Sequence, residues 1–206
     1  MVNKIKTCIF ISGNGSNLKS IIKNSRDYNF PIKIELIISN NINANGLKIA
    51  KKYSIPYKYF SSKSDKIFER KCLSEIKKRN IKFLCLAGFM KVLSNNFIRA
   101  FNNKIINIHP SLLPKYKGLN THKRVLKNKE KFSGCTVHYV TPELDSGKII
   151  LQKKVLISKN ETPSSLKLKI LKQEHSLYPK VIDWFSKKRL KLVEGIAYLD
   201  NKPIKI

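Results

Sequence analysis

The residues Ile105-Ile106-Asn107-Ile108-His109 run directly into Pro110-Ser111-Leu112-Leu113-Pro114. In an extended chain, side chains two apart point the same way, so Asn107 and His109 share one side of a strand. An amide donor beside an imidazole suits acyl transfer: the amide N–H stabilises a developing oxyanion, and the imidazole carries protons. A histidine at a strand end is, alone, better read as a hydrogen-bonded structural residue. The combination Asn-x-His-Pro shifts that balance towards chemistry.

A second group is Gly13-Asn14-Gly15-Ser16-Asn17, between a strand-like run and a helical one. Two glycines allow close backbone approach, and a helix N-terminus beyond them offers free N–H groups and a partial positive charge. One phosphate group is the economical ligand. Leu18 stands where the third glycine of a dinucleotide fingerprint would fall, and no Gly-Lys-Ser/Thr follows to make a P-loop. The same residues also suit a plain turn with Ser16 or Asn17 capping the helix.

The third is Thr141-Pro142-Glu143-Leu144-Asp145-Ser146-Gly147, a turn between two strand-like runs. Asp145 reads as a turn residue ahead of Gly147. If the loop folds over His109, its carboxylate instead favours the imidazolium and raises the ring's pKa.

The elements that must position these groups alternate between short apolar runs and helical patterns, which predicts an α/β fold. Strands are expected at Lys4 to Ile11, Ile32 to Ile38, Pro56 to Phe60, Lys82 to Ala87, Lys104 to Ile108, Cys135 to Val140 and Lys148 to Ile157. Helices are expected from about Leu18, then at Ala44 to Tyr53, Asp65 to Arg79, Ser94 to Ala100, Thr121 to Leu126 and Pro163 to about Lys187. The expected architecture is a single-domain, Rossmann-like, mostly parallel sheet with helices on both faces. In such sheets ligands bind outside the carboxyl ends of the strands, which selects the loops after Ile11, Ala87 and Ile108.

The chain has 206 residues and a net charge of +29, from 42 Lys and Arg against 13 Asp and Glu. So basic a chain invites a nucleic-acid reading. The lysines are spread over its whole length, however, and accompany abundant Asn and Ile, as in Asn40-Asn41-Ile42-Asn43-Ala44-Asn45. That pattern fits a compositional bias better than a dedicated binding surface, and aromatics interleaved with arginine are not evident. The four cysteines, Cys8, Cys72, Cys85 and Cys135, form no CxxC pair and read as reduced core residues. The histidines His109, His122, His138 and His175 show no HxxH or HExxH spacing, so no metal is expected. No run reaches the roughly 20 apolar residues of a membrane span. The segment Met1 to Thr7 is followed by only a short apolar run without a small-residue cleavage site, which predicts a cytoplasmic protein.

The blocks Ile11-Ser12-Gly13-Asn14-Gly15-Ser16-Asn17-Leu18, Leu86-Ala87-Gly88-Phe89-Met90, Asn107 to Tyr116 and Thr136 to Val140 through Glu143-Leu144-Asp145 resemble the folate-dependent phosphoribosylglycinamide formyltransferase family. The likeness runs essentially end to end and includes Gln173-Glu174-His175. The Asn-x-His-Pro-Ser-Leu-Leu-Pro block is shared with methionyl-tRNA formyltransferase and formyltetrahydrofolate deformylase. The Ser-Gly-Asn-Gly-Ser-Asn-Leu block and the short chain are similar to the glycinamide ribonucleotide branch.

The resemblance implies transfer of the formyl group of 10-formyltetrahydrofolate to the amine of glycinamide ribonucleotide, a step of purine synthesis, without a metal. It implies Asn107, His109 and Asp145 as a catalytic trio, with protonated His109 and Asn107 facing the oxyanion. Glycinamide ribonucleotide would be held by Gly13, Asn14, Gly15, Ser16 and Asn17 at its phosphate and by Leu171, Lys172, Gln173 and Glu174. The folate would lie against Met90, Lys91, Val92, Leu93, Asn107, Thr141, Pro142, Glu143, Leu144 and Asp145. Partners would be these small molecules, with no specific nucleic acid or membrane, for a monomer or homodimer. Within the single formyltransferase domain, residues 1–100 would bind phosphate and residues 101–206 would carry folate and catalysis. Two positions depart from the pattern: Asn120 stands where the family usually has a histidine, and Asp65, between Lys63 and Lys66, stands where a folate-site arginine falls. A deformylase-like hydrolase and a basic nucleic-acid-binding protein are the competing readings.

Overall fold

The structure, a computed structural model, describes residues 4–61, 64–102 and 104–204. Lys63 lies outside the described residues. The chain forms two compact units, Met1–Ile106 and Asn107–Ile206.

In the first unit the elements are β1 (Ile5–Ile11), α1 (Ser16–Ser25), β2 (Ile32–Ser39), α2 (Asn45–Lys52), β3 (Tyr57–Tyr59), α3 (Asp65–Lys78), β4 (Phe83–Leu86) and α4 (Asn95–Arg99). Then β5 (Ile105–His109) crosses into the second unit, which holds α5 (Thr121–Lys127), β6 (Phe132–Tyr139), β7 (Ile149–Leu156), α6 (Pro163–Ser186), β8 (Leu190–Val193), β9 (Ile196–Leu199) and β10 (Lys202–Pro203). The main sheet has the order β3-β2-β1-β4-β5-β6-β7. β1 pairs in parallel with β2 and β4, and β2 with β3, whereas β6 and β7 are antiparallel. This is the mostly parallel, helix-flanked α/β sheet of the Rossmann-like class.

The buried strands follow from uninterrupted apolar sequence. Cys8 to Ile11 and Phe83 to Cys85 are fully buried, as strands covered on both faces must be. Phe10 meets Phe89 at 5.1 Å and Phe68 at 6.2 Å between ring centroids. Burying one such ring contributes about 1.5–3 kcal/mol. Cys8, Cys72, Cys85 and Cys135 are all buried. Burial pushes the Cys8 and Cys72 thiols well up and that of Cys135 to about 12, which leaves them protonated and inert.

In the second unit α6 packs on β6 and β7, and Leu166, Ile170, Tyr178, Val181 and Ile182 are among its buried residues. Its start is fixed by Thr162, whose Oγ1 accepts from the Ser165 N–H at 3.1 Å, with Pro163 in the first turn. A small second sheet, β10-β9-β8, was not expected from the sequence. Its strands are short, and the charged and polar residues among them mask any alternation.

Candidate active site

β5 ends the way strand alternation requires. Asn107 is partly buried and His109 is 5 % exposed. After His109 the chain turns through Pro110 and the cis Leu113–Pro114 bond to Tyr116, which has a φ of 59°. This return brings the Tyr116 carbonyl to 2.9 Å from His109 Nε2. A carbonyl only accepts, so a bond there requires a proton on Nε2.

The other ring nitrogen faces a second acceptor. His109 Nδ1 lies 3.3 Å from Asp145 Oδ2. The 141–146 loop is exposed except at Asp145, whose side chain is only 8 % exposed and points inward. Asp145 has a φ of 47°, a left-handed conformation that Asp tolerates better than most residues. Its Oδ2 also accepts from the Gly118 N–H at 2.8 Å, joining two loops. Gly147 closes the turn because a Cβ there would stand 1.8 Å from the Tyr139 carbonyl oxygen.

His138 completes the group, although sequence reasoning did not place it in the site. Its Nδ1 lies 2.7 Å from the Tyr139 carbonyl and must donate, so in the neutral ring Nε2 accepts. Asn107 Nδ2 lies 3.1 Å from that Nε2 and donates to it when the ring is neutral, whereas a protonated ring presents that N–H to Asp145. His138 Nε2 is also 3.6 Å from Asp145 Oδ1. Asn107, His109, His138 and Asp145 are therefore one buried polar network. The signal in the sequence was weak: Thr136 and His138 are polar residues two apart in an apolar strand.

Burial pushes the His109 ring below its ordinary pKa, and the charges of His138 and Arg124 add to that. Asp145 and the Tyr116 carbonyl push it up but do not prevail. This corrects the expectation that a neighbouring carboxylate leaves the ring above about 6.5. Burial would raise the Asp145 carboxyl, yet His138, the Gly118 N–H and His109 hold it below the usual carboxylate range. A neutral His109 can donate to only one of its two acceptors, while an added proton satisfies both. The ring is thus poised between a neutral base and an imidazolium.

In the first unit, the loop Gly13 to Asn17 leads from β1 into α1. Gly15 is the N-cap, with a φ of 73° and no side chain capping the helix, so neither Ser16 nor Asn17 takes the capping role. A Cβ on Gly15 would lie 2.7 Å from Gly46 Cα, so this glycine serves packing between the starts of α1 and α2. Gly13 has open space instead, and Asn14 is exposed. Asn17 is buried.

The segment after β4 is held by Ser12, whose Oγ accepts from the Met90 N–H at 2.8 Å. Met90 and Val92 are exposed apolar side chains, whereas Leu93 is buried in the core. Lys91 pairs with Asp65, so a cation does stand beside the position that departs from the family pattern. Leu171, Lys172, Gln173 and Glu174 lie in α6 of the second unit, where only Glu174 is buried. Thr141, Pro142, Glu143 and Leu144 are exposed. Asn120 is the N-cap of α5 with a φ of 58°, which Asn adopts readily. Among the described residues no group of three or more His, Cys, Asp or Glu could hold a metal ion.

The sequence matches the family described as Formyl transferase over residues 5–182. It is 40% identical to the phosphoribosylglycinamide formyltransferase of Haemophilus influenzae, over 97% of this chain and 95% of that one. Identity to the Escherichia coli protein of the same name is 39%, over 94% of this chain and 93% of that one. The solved phosphoribosylglycinamide formyltransferase of Coxiella burnetii, in complex with CHES, superposes with a TM-score of 0.92 at 40% identity, covering 98% of this chain and 96% of that one.

Proposed function

The chain belongs to the formyl transferase family, and from that premise we infer that it transfers the formyl group of 10-formyltetrahydrofolate to the amine of glycinamide ribonucleotide. The buried Asn107–His138–Asp145–His109 network carries the reading, since acyl transfer needs an oxyanion donor and a proton carrier on adjacent positions.

The amine nitrogen attacks the formyl carbon, and the carbonyl oxygen gains negative charge that an Asn107 N–H stabilises. His109 takes up the proton the amine sheds and delivers it to the carrier nitrogen as the carbon–nitrogen bond to the carrier breaks. The ring's lowered pKa leaves it neutral and basic before attack. Asp145, kept ionised, stabilises the imidazolium that forms. No residue is formylated and no metal takes part.

The N–H groups at the start of α1 suit the substrate phosphate, through Gly13 to Asn17. The exposed Met90 and Val92 offer apolar surface to a flat pterin. Among the described residues no helix is long and apolar enough to cross a membrane, and we read the site of action as the cytoplasm. The test is formyl transfer from 10-formyltetrahydrofolate to glycinamide ribonucleotide by the purified protein, beside a control without amine. Formylated product only when the amine is present supports the reading. Carrier deformylation at the same rate without amine identifies a hydrolase and overturns it.

A further inference from the structure

The loop between β5 and α5 turns two backbone groups onto the polar network. The Tyr116 carbonyl lies 2.9 Å from His109 Nε2, and the Gly118 N–H donates to Asp145 Oδ2 at 2.8 Å. Tyr116, Gly118 and Asn120 all hold left-handed conformations, with φ of 59°, 76° and 58°. For a bulky residue such as Tyr116 that conformation is costly, and it persists only where the surroundings hold it. Lys117, Leu119 and Asn120 are exposed, so apolar burial does little to hold this loop.

Arg124 supplies the hold from α5. Helical side chains tilt towards the helix N-terminus, which carries this one back over the loop that precedes α5. Its backbone N–H donates to the Asn120 carbonyl at 3.1 Å. Its Nη1 donates to the Lys117 carbonyl at 2.6 Å and, more weakly, to the Leu119 carbonyl at 3.4 Å. The guanidinium also stands 5.5 Å from the centroid of the Tyr116 ring. One side chain therefore meets Tyr116, Lys117 and Leu119, and the two carbonyls it holds flank the Gly118 N–H.

We propose that Arg124 is a positioning residue, which clasps the Tyr116–Leu119 loop and so keeps the Tyr116 carbonyl on His109 and the Gly118 N–H on Asp145. Its consequence for turnover rests on the formyl-transfer reading, whereas its hold on the loop does not. Arg124 also acts on His109 by charge, and the two actions have opposite signs. Burial lowers the ring most; Asp145 of the 141–147 turn and the Tyr116 carbonyl raise it, and the charges of His138 in β6 and then Arg124 lower it. His122 of α5 is a further titratable neighbour of the ring. Removing the Arg124 charge alone raises the His109 pKa. Releasing the loop withdraws the Tyr116 carbonyl, a larger influence than the Arg124 charge, and lowers it.

The experiment compares the wild type with Arg124→Met, which keeps an unbranched side chain at this exposed position but has neither donor nor charge. NMR follows the titration of the His109 ring and the hydrogen exchange of the Gly118 amide. In the variant the His109 pKa falls and the Gly118 amide exchanges faster, while the circular dichroism spectrum stays that of the wild type. Its kcat drops about tenfold, the scale of one charge-assisted hydrogen bond, with the KM for glycinamide ribonucleotide unchanged. Lys123→Gln, which loses a charge at the neighbouring exposed position, keeps wild-type values throughout. A His109 pKa that rises in Arg124→Met while Gly118 exchange is unchanged means action by charge alone and overturns the clasp. Wild-type kcat in that variant, or the same changes in Lys123→Gln, overturns it too. If the wild type itself transfers no formyl group, the formyl-transfer reading fails and the two NMR readings still decide the clasp.

Discussion

Nδ1 of His109 lies 3.3 Å from Oδ2 of Asp145, and neither side chain is more than a tenth exposed. Within this pair burial favours the neutral ring and the carboxylate favours the charged one. Asp145→Asn removes the upward influence while keeping the side chain's size and its tolerance of a φ of 47°. The His109 pKa, already lowered, falls further, and turnover falls with it because the imidazolium formed during transfer loses its counter-charge. Titration of the His109 ring by NMR in both proteins checks this. An identical pKa in the two would reduce Asp145 to a turn residue.

His109→Ala removes the proton carrier but leaves a small residue at the end of β5. Turnover drops by at least two orders of magnitude, the lower end of the ~10²–10⁴-fold worth of a positioned acid–base group. The far-ultraviolet circular dichroism spectrum stays that of the wild type. A folded variant keeping more than about a tenth of wild-type kcat removes His109 from the mechanism.

The two glycines ahead of α1 respond differently. Gly13→Ala adds a Cβ into open space, so the protein keeps its stability while the KM for glycinamide ribonucleotide rises through hindered phosphate approach. Gly15→Val forces a β-branched residue to a φ of 73° and drives its Cβ against Gly46 Cα, costing about 2 kcal/mol or more. Thermal melts and initial rates separate the two effects. An unchanged KM in Gly13→Ala would leave this loop a turn without a phosphate.

Stability depends on pH through two histidines that burial holds below their ordinary value, His109 and His122. Above the unfolded pKa of about 6.5 both states hold neutral rings, and the folded state's preference is fully expressed. As the pH falls, the unfolded chain takes up protons first, so stability is lost from about 6.5 down through the folded values. Tm should fall between pH 7.5 and 5, and less steeply in a His109→Asn/His122→Asn variant. Parallel slopes in the two proteins would contradict the assignment.

Local sequence determined where the chemistry-bearing residues sit along the chain. Apolar runs of strand length, the Asn-x-His-Pro step and the Thr162–Pro163 start of α6 are short-range signals, since periodicity and backbone preference act over a few residues. That is why every element of the main sheet was legible and why Asn107 and His109 were known to share a side. Only the tertiary structure decided what lies opposite them. Asp145 is 36 positions further along than His109, and no local rule brings it there; the left-handed turn and the Gly118 N–H do. His138 was hidden because a polar residue in an apolar strand looks alike whether it is a satisfied core group or the acceptor that orients Asn107. The direction of the His109 pKa was also beyond the sequence. It depends on how completely water is excluded around the ring, which is a property of the packed protein and overrides the charge of a neighbour.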